Sequence, residues 1–171
     1  MNKTKEIMIV PATINDIKAI SLLAKQTWPN AYSHIIPQEQ LDYMLGLMYS
    51  EESLQKQFEN GHVFLLAHQA EKSVAFASYN LTEQSCTYKL QKLYTLPSQQ
   101  GKGLGRKIID YIIDEIKKEK AIALRLNVNR HNKALAFYKH LGFEIIKEED
   151  IDIGNGYFMN DYVMEKTWTF D

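Results

Sequence analysis

Three of the eight glycines of this 171-residue chain lie within five residues, at Gly101, Gly103 and Gly105. They follow a segment rich in β-forming residues and precede isoleucines that recur at helical spacing from Ile108 to Ile116. A glycine-rich turn between a strand and a helix leaves backbone N–H groups without partners, and the helix dipole adds positive charge there. This junction therefore predicts a binding site for an anion, above all for a phosphate group.

The residues around these glycines distinguish between kinds of phosphate-binding loop. A nucleoside triphosphate loop requires Ser or Thr after its Gly-Lys pair to reach the magnesium ion, but Gly103 follows Lys102. The dinucleotide fingerprint requires a third glycine three residues after the second, where this chain has Arg106. Residues 100–105, Gln-Gly-Lys-Gly-Leu-Gly, match the Q/R-x-x-G-x-G/A pyrophosphate loop of the GCN5-related N-acetyltransferase (GNAT) family, which the chain resembles.

A second segment, about thirty residues further on, strengthens this resemblance. Residues 121–128 have the composition of a strand, and residues 132–143 follow the family's N-x-A-x-x-F-Y-x-x-x-G-F pattern. The pattern predicts a short helix over residues 131–141, which Gly142 ends in a left-handed conformation before Phe143 begins the next strand. The resemblance depends on specific residues between positions 90 and 146, and elsewhere on the pattern of helices and strands.

The resemblance implies acetyl-coenzyme A as the co-substrate. Main-chain N–H groups of the glycine loop would hold the pyrophosphate, with Lys102 and Arg106 adding positive charge. Main-chain groups of the preceding strand would pair with the pantetheine arm like an added strand. The residues predicted to bind the cofactor are Leu93, Tyr94, Thr95, Gln100, Gly101, Lys102, Gly103, Leu104, Gly105, Arg106, Asn132 and Tyr138.

The resemblance also implies a direct transfer, in which a neutral amine attacks the thioester carbonyl without a serine or cysteine nucleophile. Tyr138 matches the family tyrosine that protonates the departing thiolate, so it is the predicted catalytic residue. The strand position two before Leu93, often acidic in the family, is Gln91, which cannot accept a proton at neutral pH. The general base stays open between ordered water and the side chains of His34, Tyr79 and Glu83.

The acceptor is predicted to be a small amine such as a polyamine, with Trp28, Tyr32 and Tyr79 as its contacts. The stretches over residues 28–32 and 157–166 are similar to bacterial polyamine acetyltransferases of the spermidine/spermine type. Four carboxylates within residues 148–152 would attract a cationic amine, although a solvated run of charges has the same sequence. Two alternatives stay open: acetylation of a peptide or ribosomal-protein N-terminus, and a sensor that binds coenzyme A without turnover.

The elements that must position these residues alternate along the chain. A strand over residues 8–11 leads into a helix that Thr13 and Asp16 cap, and this helix is expected to stop before Pro29. Two more helices, two strands, the strand before the glycine loop and its helix follow, and then a strand, a short helix and two strands. This order predicts an α+β fold with a mixed, mostly antiparallel sheet flanked by helices, in a single domain over residues 1–171.

Composition and charge narrow the possible partners. The 20 basic and 21 acidic residues give a net charge of -1, so nucleic acid is not an expected partner. The absence of a signal peptide and of a run of about 20 apolar residues predicts a cytoplasmic protein that binds no membrane. Cys86, the one cysteine, excludes an internal disulfide and is expected to pack inertly. Trp168 and Phe170, near a terminal strand edge, predict a homodimer.

No metal site is predicted from the histidines. His62 and His68 lie six residues apart on one predicted strand. At about 3.3 Å per residue their side chains would be about 20 Å apart, too far to share an ion. Both histidines are expected to face solvent or to pack without a functional role.

Overall fold

Strands and helices alternate along residues 6–171, the part of the chain that this computed structural model describes. The strands within these residues are β1 (Ile7–Pro11), β2 (Val63–Gln69), β3 (Lys72–Leu81), β4 (Thr87–Thr95), β5 (Ala123–Asn129), β6 (Glu144–Gly154) and β7 (Tyr157–Thr167). The helices are α1 (Ile17–Tyr32), α2 (Gln38–Tyr49), α3 (Glu51–Glu59), α4 (Leu104–Lys118) and α5 (Ala134–His140).

The strands are hydrogen-bonded in the order β1-β2-β3-β4-β5-β7-β6. The pairs β1/β2, β2/β3, β5/β7 and β6/β7 are antiparallel, whereas β4 and β5 run parallel. A parallel pair requires a crossover connection, and α4 supplies it between these two strands. The predicted α+β fold with a mixed, mostly antiparallel sheet is therefore confirmed.

The chain divides into two compact units. The first unit consists of residues 6–79 and Lys92–Ile108, and the second of Asn80–Gln91 and Ile109–Asp171. The single domain over residues 1–171 stays a prediction. The core of the first unit joins the inner faces of α1, α2 and α3 to β2 and β3, where Ile20, Leu54, Phe64 and Phe76 are fully buried.

The second unit is built on the isoleucine face of α4. Ile109, Ile112 and Ile116 are at most 1% exposed, and Leu124 of β5 and Met164 of β7 are completely buried. Burial of each such side chain contributes roughly 1.5 to 3 kcal/mol. The helical spacing of the isoleucines therefore fixes which face of α4 is buried.

Two local predictions are wrong. The first helix does not stop before Pro29, because α1 continues to Tyr32 and Ser33 N donates to Pro29 O at 3.0 Å. Burial of Trp28 at 2% exposure fixes this turn and outweighs the hydrogen bond that proline cannot donate. Cys86 does not pack inertly, because it is exposed in a tight turn with φ of 56°. The capping box of Thr13 and Asp16 is confirmed.

Candidate active site

The glycine loop, residues 100–105, is held at its beginning by the core of the first unit. A 3-10 turn, Pro97–Gln99, follows β4, and the buried Gln99 donates through Nε2 to Gln69 Oε1 at 2.9 Å. Gly101 and Gly103 have φ of +73° and +77°, and nothing lies within 4 Å of a Cβ added at either position. The left-handed backbone, rather than lack of space, therefore requires glycine here.

At the end of the loop, the first turn of α4 presents its backbone. Lys107 N donates to Gly103 O at 3.1 Å, so the N–H groups of Leu104 and Gly105 precede the first intrahelical hydrogen bond. Leu104 is 1% exposed and anchors this turn in the core. The side chains of Lys102 and Arg106 are exposed. The arrangement of N–H groups, helix terminus and cations suits a bound phosphate.

Strand β4 brings the chain to this loop. Its residues Leu93, Tyr94 and Thr95 are half-buried. The parallel register with β5 joins Thr87 through Leu90 of β4 to the facing residues of β5, and these three residues lie beyond that register. Their main-chain groups therefore stand outside the β4/β5 hydrogen-bond ladder.

Five rings of the first unit form what we call the aromatic cluster. The ring centroid of Trp28 lies 4.5 Å from Tyr32, 5.3 Å from Tyr49 and 5.6 Å from Tyr94. Phe76 lies 5.8 Å from Tyr49 and 5.6 Å from Tyr94. Two predicted acceptor contacts, Trp28 and Tyr32, thus meet the predicted cofactor residue Tyr94.

The polar atoms of the aromatic cluster bind one another. Trp28 Nε1 donates to the Tyr49 hydroxyl at 3.2 Å, and the hydroxyls of Tyr32 and Tyr94 share a hydrogen bond of 2.7 Å. The third predicted acceptor contact, Tyr79, is 7% exposed and lies three residues after Phe76 on β3. Because side chains alternate along a strand, Tyr79 faces away from the cluster.

A positively charged side chain lies against the aromatic cluster, and the sequence did not indicate this contact. Lys92 of β4 is 8% exposed, and its Nζ is 5.2 Å from the centroid of the Tyr49 ring. Burial raises the pKa of Tyr49 well above its usual value, so the phenol stays neutral. Burial, followed by the charge of Lys92, lowers the pKa of His62 below that of an ordinary histidine. The sequence predicts that His62 faces solvent or packs without a functional role. In the structure its Nδ1 is buried and has no hydrogen-bond partner.

The position expected to carry a base holds a hydrogen-bonded amide in the second unit. Gln91 Nε2 donates to Asn80 Oδ1 at 2.9 Å. The other side chains considered as bases differ in exposure, because His34 and Glu83 are exposed while Tyr79 is buried. Position 91 thus holds an amide where many members of the family have a carboxylate.

The predicted catalytic tyrosine lies on α5 of the second unit. Tyr138 is 8% exposed, and its ring packs edge-on against Phe137 at 5.1 Å and Phe143 at 5.7 Å. Asn132 Oδ1 accepts a hydrogen bond from Ala134 N at 2.9 Å and so caps the first turn of α5. The helix therefore begins at Ala134, three residues later than the pattern predicts.

Most of the acidic run within residues 148–152 is ion-paired. Arg130 contacts Asp150 at 2.7 Å and Glu148 at 3.8 Å, and Lys147 contacts Glu149 at 2.5 Å. These pairs reduce the attraction that the run would exert on a cationic amine.

Asn127 links two carboxylates whose pKa values shift in opposite directions. Its Nδ2 donates to Glu149 Oε2 at 3.1 Å and to Asp161 Oδ2 at 3.3 Å. Hydrogen bonds from Lys147 and Asn127 lower the pKa of Glu149, whereas burial raises the pKa of Asp161. The second unit thus contains a network in which each charged group has a neighbour.

Residues 6–171 contain no cluster of three histidine, cysteine or acidic side chains suited to a metal ion. In the same stretch, none of the helices has the length and apolar character needed to cross a membrane.

Known proteins match both the sequence and the fold. The family model of the acetyltransferase (GNAT) domain matches residues 36–165. The spermidine N(1)-acetyltransferase of Thermoplasma acidophilum is 24% identical over 162 residues, which cover 91% of this chain and 94% of that protein. The crystal structure of PaiA N-acetyltransferase from Thermoplasma acidophilum in complex with coenzyme A has a TM-score of 0.80 and 25% identity, covering 95% of this chain and 99% of that one.

The fold is shared with a solved structure whose named activity is different. The crystal structure of the ribosomal-protein-S18-alanine N-acetyltransferase from Escherichia coli has a TM-score of 0.73 and 21% identity, covering 97% of this chain and 96% of that one. The two sequence motifs, the glycine loop geometry and the family match over most of the chain agree with one another. The chain therefore belongs to the GNAT family of acetyltransferases, which transfer an acetyl group from acetyl-coenzyme A to an amine.

Proposed function

We propose that this acetyltransferase acts on a small polyamine of the spermidine type. The observation that carries the proposal is the match to the spermidine N(1)-acetyltransferase of Thermoplasma acidophilum, which extends over 91% of this chain. A polyamine supplies a primary amine on a flexible chain with further positive charges. Aromatic faces attract such charges, and the half-buried Tyr32 belongs, with the buried Trp28, to a cluster that already lies against one ammonium group, that of Lys92.

The cofactor is proposed to bind along β4 and the glycine loop. Leu93, Tyr94 and Thr95 would pair with the pantetheine arm through main-chain groups beyond the β4/β5 register. The pyrophosphate would lie against the N–H groups of residues 101–106, and Asn132 is a further proposed contact of the carrier. The left-handed glycines and the helix terminus support this assignment.

The acetyl transfer is proposed to proceed by direct attack. The neutral amine nitrogen attacks the thioester carbonyl carbon, a C–N bond forms, and the C–S bond breaks as the oxyanion collapses. The Tyr138 hydroxyl donates a proton to the departing thiolate and regains one from the amide nitrogen. The ammonium form of the acceptor must first lose a proton, which Gln91 cannot take.

The experiment is an acceptor panel at fixed acetyl-coenzyme A. Spermidine and spermine are compared with amino acids, and with peptides that include one beginning with alanine, while coenzyme A release and the acetylated product are both measured. We expect kcat/KM for spermidine to exceed that for every peptide by at least about 100-fold, the size of a specific recognition difference of about 2.7 kcal/mol. A higher value for a peptide N-terminus would contradict the polyamine proposal and leave the acetyltransferase activity intact.

The cytoplasmic location and the homodimer stay predictions. Sedimentation at micromolar concentration in the presence of a reductant tests the homodimer directly.

A further inference from the structure

The interior of the first unit contains polar atoms that the protein does not pair. Gln57 Oε1, His62 Nδ1 and Ser78 Oγ are buried and have no hydrogen-bond partner among the described residues. Ser78 itself is completely buried. An unpaired buried polar atom costs about 1 to 3 kcal/mol, so each of the three is a place where a bound water molecule or ligand group would be stabilising.

These atoms belong to neighbouring elements. His62 N donates to Gln57 O at 3.0 Å, which ties the end of α3 to the beginning of β2. Ser78 of β3 pairs with Phe64 of β2. His62 immediately precedes β2, and the side-chain alternation of the strand, continued back by one residue, puts His62 on the same face as Phe64. His62 and Ser78 are therefore diagonal neighbours, at a backbone separation of about 7 to 8 Å that one water molecule between their side chains can bridge.

The same face reaches the strand proposed to hold the carrier. The charge of Lys92 acts on the His62 ring, and Lys92 immediately precedes Leu93. The chain lacks a carboxylate at position 91, so the acceptor ammonium needs another proton acceptor. His62 is a side chain able to accept a proton near neutral pH, and its Nδ1 is unpaired.

We propose that His62 accepts the proton of the acceptor ammonium through water held between Gln57, His62 and Ser78. An N–H bond of the ammonium breaks, the proton passes through the water to Nδ1, and the imidazole becomes an imidazolium that later returns the proton to solvent. The neutral amine then attacks the thioester. This inference rests on the proposed acetyl transfer to an amine and names a proton-relay residue for it.

The surroundings of His62 keep the imidazole neutral. Lys92 from β4 is the charged group that acts on it, while α3 presents the uncharged Gln57 and β3 the uncharged Ser78. From α2, Tyr49 lies against Lys92 and is held neutral by burial. Burial and the positive charge both favour the neutral form, in which Nδ1 can accept a proton.

The test compares two histidines near the same strand. In the wild-type enzyme, kcat/KM should rise tenfold per pH unit below the pKa of His62 and level off above it, because the acceptor enters as its ammonium form. His62→Gln should lower kcat/KM at pH 7 by about 100-fold and remove the levelling, so that the value keeps rising with pH. His68→Gln is the control, since His68 Nδ1 already shares a 3.2 Å hydrogen bond with Ser73 Oγ. Its profile should match that of the wild type.

Two further variants separate a proton relay from a structural role. Lys92→Met should move the break in the profile to higher pH, because loss of a nearby positive charge raises the pKa of His62. Ser78→Ala should lower kcat several-fold while leaving the break where it is, since it removes a water contact and not the imidazole. If kcat/KM levels off at the same pH in both His62→Gln and Lys92→Met as in the wild type, the proposal is overturned.

An NMR titration of the histidine rings in the wild-type protein with coenzyme A tests the proposal without any variant. We expect His62 to be neutral at pH 7, and a protonated ring at that pH would overturn the proposal. The kinetic test uses whichever amine the acceptor panel identifies. Failure of spermidine alone therefore contradicts the polyamine proposal and leaves the role of His62 to be decided by the profile with the active acceptor.

Discussion

The two units treat buried polar groups in opposite ways. In the first unit, three buried polar atoms lack partners and a lysine lies against a tyrosine ring. In the second unit, Arg125 binds Glu165 at 2.6 Å, and Asn127 joins the carboxylates of Glu149 and Asp161. All of the buried unpaired atoms that the structure gives within residues 6–171 belong to the first unit.

The difference shows which of the two units has buried polar groups that are available to bind a ligand. A paired polar network fixes strands in register and has little left to offer a ligand, whereas unpaired atoms must be satisfied by water or substrate. The charged residues of the second unit therefore stabilise the fold, although their sequence pattern could also indicate a binding site. The unsatisfied buried atoms belong to the first unit, which also contains the glycine loop.

The largest expected effect concerns Tyr138, the predicted catalytic residue, which lies in the second unit although the unpaired polar atoms lie in the first. Tyr138→Phe should lower kcat by about 100-fold, the usual contribution of a general acid, and change the Kd of acetyl-coenzyme A by less than about threefold. The ring contacts with Phe137 and Phe143 survive in the variant, so folding should not change. Steady-state kinetics and calorimetry measure the two quantities. Tyr111→Phe on α4 is the control, and an equal loss in both variants would remove the assigned role.

Substitution of each of the two tryptophans compares how much the interiors of the two units contribute to stability. Trp28→Phe should lower the free energy of unfolding by about 2 kcal/mol, because it opens a cavity and removes one hydrogen-bond donor from the buried Tyr49 hydroxyl. Trp168→Phe should cost only about 1 kcal/mol, since its ring is half-buried and donates one hydrogen bond to Ala121 O. Urea unfolding measures both. A larger loss for Trp168→Phe would reverse the expected order of the two interiors.

A matched pair of glycines separates binding from backbone strain. Gly103 and Gly156 share φ of +77°, and nothing lies within 4 Å of an added Cβ at either position. Alanine at each site should therefore cost a similar amount of stability, about 1 kcal/mol. Gly103→Ala should in addition raise the Kd of coenzyme A by about tenfold, whereas Gly156→Ala should not change it. Calorimetric titration of the two variants decides the matter, and equal Kd values would place the pyrophosphate elsewhere.

The smallest expected effects concern the carboxylates that share Asn127. Burial raises the pKa of Asp161, so the folded state binds more protons than the unfolded state and stability falls as pH rises above 3.8. For Glu149 the pKa is lowered, so its contribution is present above 4.5 and is lost as pH falls. Asp161→Asn should remove the first dependence and Glu149→Gln the second, each changing the free energy by less than about 1 kcal/mol. Unfolding in urea from pH 3 to 7 tests the opposite signs.

Elements with local signals could be predicted from the sequence, and long-range contacts could not. The isoleucine face of α4, the glycine-rich turn before it and the left-handed stop at Gly142 each depend on neighbours within a few residues, and the structure has them where the pattern puts them. The run of α1 through Pro29 could not be predicted, because packing of Trp28 against Tyr49 of α2 and Tyr94 of β4 overrides the local preference of proline.

The functional residues divide in the same way. The glycine loop follows from spacing, whereas the meeting of Trp28 with Tyr94 joins residues far apart in the chain. No periodicity marks His62, since its surroundings come from α3, β3 and β4 together. A buried, unpaired ring nitrogen is visible only once those elements are assembled.

The exposed Cys86 has a consequence for measurements on this protein. As the one cysteine in the chain, it gives each protomer a single accessible sulfur that can be oxidised to link two copies covalently. It will also react with the disulfide reagents that report coenzyme A release, adding up to one equivalent of colour per chain before turnover begins. Replacement by glycine would remove both artefacts and suit the φ of 56° at this turn better than any side chain.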